Sequence, residues 1–411
     1  MGTNRSLPRL ILTIAAGLSL TGCAAAGTGG AGQATAKAGA DIQIGVIMPL
    51  TGANAQFGTN ALHGTELAAD QVNKAGGIKS MGGAKIKIVS ADTTSDPTQA
   101  AAATEKFVGS GSGAIATIGM YASALTLTSA QITERAGIPL LSTGFSDTLT
   151  QRGYKNFFRV APKASQVGTV QFTDAVAVAK QSNVDLKRVA IVYENDAFGD
   201  GTAKGLKDAA DKAGLQVVLY EGYASSITDA SPVAQKVADA KPDAVLPVSY
   251  LSDGILLVRA LSQAHSRAPI FAGVGGFVQP DFEKNLGPLA NGIFTADTSS
   301  PDLYGSINDL YKQRYGTFMT QEAHDNAVGV SIVAQALEAH PTRDPLELSK
   351  TLHATNFTKG LAATMPGGHV QWDEAGNNLV AQPVMCQWQG GNLVGVYPPN
   401  LTKGKPKYPT R

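Results

Sequence analysis

Apolar and polar residues follow two rhythms along this chain. Ile42 to Met48 is a short apolar run rich in β-branched residues, which predicts a buried strand. Pro49, Gly52 and Gly58 then punctuate a loop. From Thr59 to Ala75, Leu62, Ala69 and Val72 share one helical face, with Glu66, Asp70 and Asn73 turned away. Gly76 and Gly77 stop that helix. The same unit returns in mid-chain: a strand at Val189 to Tyr193, a loop at Glu194 to Gly199, and a helix with Ala203, Leu206, Ala210 and Ala213 inward. In each copy an aromatic-glycine pair, Phe57-Gly58 or Phe198-Gly199, sits where loop meets helix. Two such units so far apart predict two lobes facing each other.

The rest of the pattern is compatible with that layout. Strands are predicted at 84–91, 114–119 and 137–142, with helices opening at Asp96-Pro97 and running from Ser123 to Ala136. A second lobe starts near Ser165, with strands at 216–220, 244–248 and 269–273 and a helix over 254–264. Ser231 is the expected N-cap of another helix, with Pro232 behind it. A strand at 292–296 is expected to lead back into the first lobe. Helices at 303–315, 323–339 and 345–353 follow, and short strands at 370–372, 382–389 and 393–396 close the chain. Alternating strands and helices predict an α/β fold with parallel sheets.

Composition adds limits. The 411 residues carry 33 basic and 32 acidic side chains, a net charge of +1, which gives no reason to expect nucleic acid. At ~150 residues per domain, two domains are expected. Arg5 and Arg9 precede an eleven-residue apolar run, Leu10 to Leu20. A bilayer span takes ~20 such residues, so the run reads as the core of a signal peptide. It ends in Leu20-Thr21-Gly22-Cys23, which resembles the bacterial lipobox and would make Cys23 the lipidated first residue of the mature chain. Residues 24–40 hold eight Ala and five Gly without an apolar face, the composition of a tether. Cys386 is the only other cysteine, so no internal disulfide is expected, and its strand context predicts a buried apolar role.

Catalytic and cofactor motifs are absent. There is no phosphate loop, no dinucleotide-binding turn and no nucleophile elbow. Gly109 to Gly113 lies between a helix and a strand, the wrong side for phosphate. The six His never pair at i, i+4, so neither a metal nor an enzyme constellation is expected. His324-Asp325 reads as a helix-end hydrogen bond rather than half a triad.

A set of short matches then converges. It comprises Ile44-Gly45 to Gly52 with Phe57-Gly58, Asn73 to Ile78, Asp96-Pro97, Ile118-Gly119 followed by Ser123, Leu149 to Tyr154, Arg188 to Tyr193, and Phe198-Gly199. Together, from about 41 to 396, they resemble the leucine/isoleucine/valine-binding family of extracytoplasmic solute-binding proteins of ABC importers. The resemblance implies two Rossmann-like lobes joined by a three-strand hinge, with ligand in the cleft between them. On that basis 1–22 is a lipoprotein signal peptide and 23–40 a lipidated tether. Residues 41–163 plus 293–371 form lobe 1, and 164–292 plus 372–411 form lobe 2.

The resemblance also assigns a site. Ser123 matches the residue that holds a ligand carboxylate at a helix N-terminus, where free N–H groups favour an anion; its plainer reading is an N-cap. Thr143 matches a position acting through its backbone carbonyl. Phe145 stands where a Thr is expected, with Ser146 as the alternative hydroxyl. Phe57, Phe198 and Tyr250 match aromatic wall positions, and Tyr121 and Phe277 are plausible additions. Gly275 replaces the family's acid for the ligand ammonium. Either another acid substitutes, Asp253 being the nearest candidate, or the ligand has no ammonium. Ser95 and Ala122 stand in place of the family's cysteines. The expected function is a membrane-held receptor that delivers a small solute to a permease, with no cofactor. The solute is a branched-chain or other apolar amino acid, or an amine-free carboxylate or amide. The alternative is an exported sensor signalling to a membrane partner.

Overall fold

The computed structural model describes residues 39–408. The signal segment, Cys23 and most of the tether lie outside the described residues.

In the first lobe, β1 (Ile42–Met48) is buried at every position except Gln43, which is half-buried. Strands covered on both faces belong in parallel sheets. β1 pairs in parallel with β2 (Ile86–Asp92) and β3 (Ala114–Gly119), and β4 (Leu140–Ser142) and β5 (Phe157–Arg159) complete the order β2-β1-β3-β4-β5. Helices α1 (Ala55–Lys74), α2 (Pro97–Gly109) and α3 (Ser123–Arg135) link these strands. Asp96 caps α2, its carboxylate accepting from the N–H groups of Thr98 and Gln99.

α1 opens at Ala55 rather than Thr59, so Phe57 and Gly58 lie in its first turn. A Cβ on Gly58 would stand 2.0 Å from the Pro49 carbonyl oxygen, so only glycine lets the helix start this close to the strand it follows. Gly199 plays the same part in the second lobe, 1.8 Å from the Glu194 carbonyl oxygen.

The second lobe holds α4 (Ala164–Gln181), β6 (Arg188–Glu194), α5 (Gly199–Lys212), β7 (Gln216–Tyr223), α6 (Ser231–Ala240), β8 (Ala244–Val248) and α7 (Leu251–Gln263). β7, β6 and β8 pair in that order. A bridge from Val245 to Ile270 continues them towards β9 (Phe271–Ala272). α8 (Pro280–Leu286) follows, then β10 (Phe294–Asp297), parallel to β9. β11 (Val384–Gln389) and β12 (Asn392–Tyr397) add antiparallel strands. Cys386 is fully buried here with a free thiol. Ser231 is the first residue of α6, and no side chain caps that helix, contrary to the N-cap expected of it.

α9 (Ser306–Tyr315), α10 (Gln321–Ala339) and α11 (Pro345–Ala354) return to the first lobe, where the apolar side of α10 joins the core of β1 and β3. Two expected boundaries shift. The split at 293 gave the next strand to lobe 1, but β10 is hydrogen-bonded between β9 and β11, so the chain leaves the second sheet only after Asp297. The split at 372 came too early, because the Trp372 indole donates to the Arg159 carbonyl and Asn378 donates to the Val160 carbonyl, both beside the first sheet. Residues 370–372 make isolated bridges rather than a strand. Three crossings thus join the lobes, after Arg159, after Asp297 and after Asn378.

Candidate functional site

In open α/β sheets, ligands bind beyond the carboxyl ends of the strands where the order reverses. That point falls between β1 and β3 in one lobe and between β6 and β8 in the other. The segments leaving these strands, up to the first turn of the next helix, carry Phe57 and Tyr121 on the first side, Phe198 and Tyr250 on the second. The rings meet across the cleft. Phe57 stacks on Tyr121 at 4.5 Å, and the Tyr250 ring lies 6.1 Å from Phe57 and 5.9 Å from Tyr121. Phe198 lies 5.6 Å from Tyr250 and 5.5 Å from Phe145. Five of the six expected aromatic residues therefore form one cluster spanning both lobes. The sixth, Phe277, departs from expectation: it packs on Phe282 of α8 at 5.0 Å, in the core of the second lobe.

Ser123 is the first residue of α3, and its hydroxyl is buried. Its N-cap is Ala122, which has no side chain to satisfy the first-turn N–H groups. The Ser123 Oγ accepts from the Phe145 N–H at 3.1 Å and the Ser146 N–H at 3.0 Å. It thus ties the second predicted loop to the helix start, keeping its own proton for donation. The loop is fixed from behind by Arg159, a buried guanidinium that donates to the carbonyls of Gly144 and Ser146. Burial pulls the Arg159 pKa down to about 10. The Ser146 hydroxyl is paired with Thr148 at 3.0 Å, whereas the buried Thr143 hydroxyl has no partner.

Gly275 adopts φ +124°, and a Cβ there would lie 2.9 Å from the Ser249 carbonyl oxygen. A side chain at this position is strained by the backbone geometry. Three carboxylates gather nearby instead, at the ends of β6 and β8. Asp196 accepts from the N–H groups of Phe198 and Gly199 and from the Tyr250 hydroxyl at 3.0 Å. Asp253 accepts from the Tyr223 hydroxyl at 2.7 Å and completes a capping box on α7 with Tyr250. Glu194 hydrogen-bonds Asp253; burial, then its acidic neighbours, push its pKa up to about 9. A cavity of about 370 Å³ opens beside these acids, lined by Asn54, Ser95 and Ala122 from one lobe and Asp196, Ser225 and Tyr250 from the other.

A second polar group joins the lobes and was not foreseen from the sequence. Asn60 of α1 donates to Gln279 at 3.2 Å and to the Glu322 carboxylate at 3.1 Å. Gln279, just before α8, donates to the other Glu322 oxygen at 3.1 Å. All three are buried. Burial raises the Glu322 pKa to about 7. Asn60 lies one helical turn beyond Phe57, which is the only sequence signal that links it to the site. Among the described residues, no His, Cys, Asp and Glu side chains group to hold a metal ion.

The model of the periplasmic binding protein family matches residues 41–392. The chain belongs to this family. Among curated relatives of this periplasmic binding protein is the Leu/Ile/Val-binding protein homolog 8 of Brucella melitensis, 31% identical over 384 residues, covering 90% of this chain and 93% of the relative. Homolog 7 of Brucella suis is 28% identical, covering 88% and 93%. Solved structures share the fold. The branched-chain amino acid transporter substrate-binding protein LivJ of Streptococcus pneumoniae, in complex with isoleucine, has a TM-score of 0.76 at 24% identity, covering 86% of this chain and 97% of that one. A solute-binding protein of an ABC transporter from R. palustris, in complex with benzoate, has a TM-score of 0.74 at 21% identity, covering 86% and 95%. In this periplasmic binding protein, the two facing switch points described above bring together residues more than a hundred positions apart, such as Phe57 and Tyr250.

Proposed function

We propose that the chain is the solute-binding lipoprotein of an ABC importer, anchored extracytoplasmically through lipid on Cys23, and that it delivers a small solute to a membrane permease. The guest has an apolar body held among Phe57, Tyr121, Phe145, Phe198 and Tyr250. Its negative end rests on the uncapped start of α3, with Ser123 donating and Thr143 lining the pocket. A branched-chain amino acid fits this description, as does a related small carboxylate or amide. The observation that carries the reading is the aromatic cluster formed jointly by the two lobes. Rings from both sides in one buried contact are the arrangement that hinge closure needs to enclose a guest. The relatives named as Leu/Ile/Val-binding homologs support the class of solute.

Calorimetry with leucine, valine, phenylalanine and hydroxybenzoate tests the reading. Micromolar or tighter binding of a branched-chain amino acid is the expected result. Failure of every compound to bind refutes it. The lipid anchor is tested separately: palmitate labelling should vanish in Cys23→Ala, and labelling that persists refutes the anchor.

A further inference from the structure

We infer that Arg159 is a positioning residue of the guest site: its guanidinium sets the loop that receives the guest, and its backbone ties the first crossing between the lobes to the third. This inference rests on the solute-receptor reading and deepens it.

Arg159 is the last residue of β5, where the chain first leaves lobe 1. Its N–H donates to the Gly376 carbonyl at 2.9 Å, and its carbonyl accepts from the Trp372 indole at 2.6 Å. The two segments touch so closely that a Cβ on Gly376 would stand 1.9 Å from the Phe157 carbonyl oxygen. The side chain reaches the segment after β4. Its guanidinium donates to the carbonyls of Gly144 and Ser146, which flank Phe145 of the aromatic cluster. The N–H groups of Phe145 and Ser146 donate to Ser123 Oγ at the start of α3. The loop is therefore held on its N–H side by Ser123 and on its carbonyl side by Arg159. Two further bonds run from the same segment to the hinge. The Thr150 hydroxyl donates to the Asn377 side chain at 2.7 Å, beside the third crossing. The Asp147 carboxylate accepts from the N–H and hydroxyl of Ser165, in the first turn of α4.

A guanidinium in this place is costly. Arg159 is fully buried, and its Nε has no hydrogen-bond partner. Among the described residues it makes no ion pair; Asp147 and Asp373 act on it only from farther off. Burying a charge without a paired counter-charge is unfavourable. What the planar fork adds is a pair of donors at fixed spacing, which holds the Gly144 and Ser146 carbonyls in one arrangement. That arrangement sets where the Phe145 ring stands against Phe198 and which way the two N–H groups face Ser123. An ammonium on a flexible stem lacks the fixed spacing.

The test is calorimetry with leucine on the full chain, with urea unfolding alongside. Arg159→Lys keeps the charge and loses the fork, and Arg159→Met loses both. Leu348→Ala, in the buried core of lobe 1 on α11, lowers stability away from the loop. Leucine affinity should fall about tenfold or more in both arginine variants, as expected when one hydrogen bond to a charged group is lost. In Leu348→Ala the urea midpoint should drop while affinity stays within about twofold of wild type. Arg159→Lys binding leucine as tightly as wild type overturns the inference, because a buried positive charge would then suffice. An affinity loss in Leu348→Ala equal to that in Arg159→Lys also overturns it, because the effect would be one of stability. Thr150→Val keeps the guanidinium and cuts the loop from Asn377, so it tests the tie to the hinge even where the arginine variants misfold. Small-angle scattering at saturating leucine should show less contraction in Thr150→Val than in wild type, and equal contraction overturns the tie. In each of these outcomes wild type still binds leucine and the receptor reading stands. Should wild type bind none of the compounds named above, the receptor reading falls and this inference with it.

Discussion

Gln279→Ala removes the second lobe's only member of the polar group that joins the lobes. Two buried hydrogen bonds disappear, one from the Asn60 amide to Gln279 and one from Gln279 to the Glu322 carboxylate. A neutral hydrogen bond contributes about 1 kcal/mol net and one to a charged group about 2, so the loss is about 3 kcal/mol. It falls on the closed state alone. When the lobes part, water reaches all three groups and the native side chain gains nothing from its partners. At 1.4 kcal/mol per tenfold, ligand affinity should fall by roughly 100-fold, because the binding-competent closed form becomes that much rarer. The effect should be smaller at pH 5.5 than at pH 8, since burial raises the Glu322 pKa to about 7 and a protonated carboxyl is a weaker acceptor. Calorimetry gives the affinity, and small-angle scattering of the ligand-free protein gives the opening. Affinity within threefold of wild type, with unchanged scattering, would refute the claim that this contact holds the lobes together.

Other outcomes can be checked alongside. Gly275→Glu restores an acid where the family has one, yet the positive φ should cost about 1–3 kcal/mol; thermal unfolding should drop, and leucine affinity should not rise. Ser123→Ala leaves the N–H groups of Phe145 and Ser146 buried without their acceptor. It should cost about 2 kcal/mol in urea unfolding. Stability should also depend on pH in a definite direction. Glu194 is raised to about 9, and Asp174 and Glu322 to about 7, mainly by burial. The folded chain therefore binds more protons than the unfolded chain between about pH 4.5 and 9. Stability should be highest near pH 5 and fall as pH rises through 7 and 9. A urea midpoint that rises over this window refutes the assignment, and Glu194→Gln should flatten the slope.

Much of the fold was legible because each strand carries its own signal. β1, β3 and β8 are mainly apolar runs, buried at every position but Gln43, and their limits are the predicted ones. Helix starts were less legible. α1 and α7 each begin a few residues before the predicted position, because their first turns carry apolar residues, Phe57 in α1 and Leu251 in α7, ahead of the periodic stretch that marks a helix. The lobe boundary at 293 was wrong for a similar reason. An apolar strand does not announce which sheet it joins, and β10 finds its partners in β9 and in β11, about ninety residues later.

The site divides along the same line. Phe57, Tyr121, Phe198 and Tyr250 were visible because each follows its own strand, and position after a strand's carboxyl end is a local property. Asn60, Gln279 and Glu322 were invisible because their meaning lies in one another. Asn60 sits on a buried face of α1, Gln279 just before the proline that opens α8, and Glu322 in the first turn of α10, where an acid has an ordinary reason to be. Only the tertiary arrangement of the two lobes puts all three in one buried contact. A carboxylate held by amides from two lobes has a different environment in each state, whereas Asp196 and Asp253 accept their N–H donors from within one lobe and keep them when the lobes part. The acids of the second lobe thus shape the wall of the cleft, and Glu322 is the buried carboxyl held by amides from both lobes.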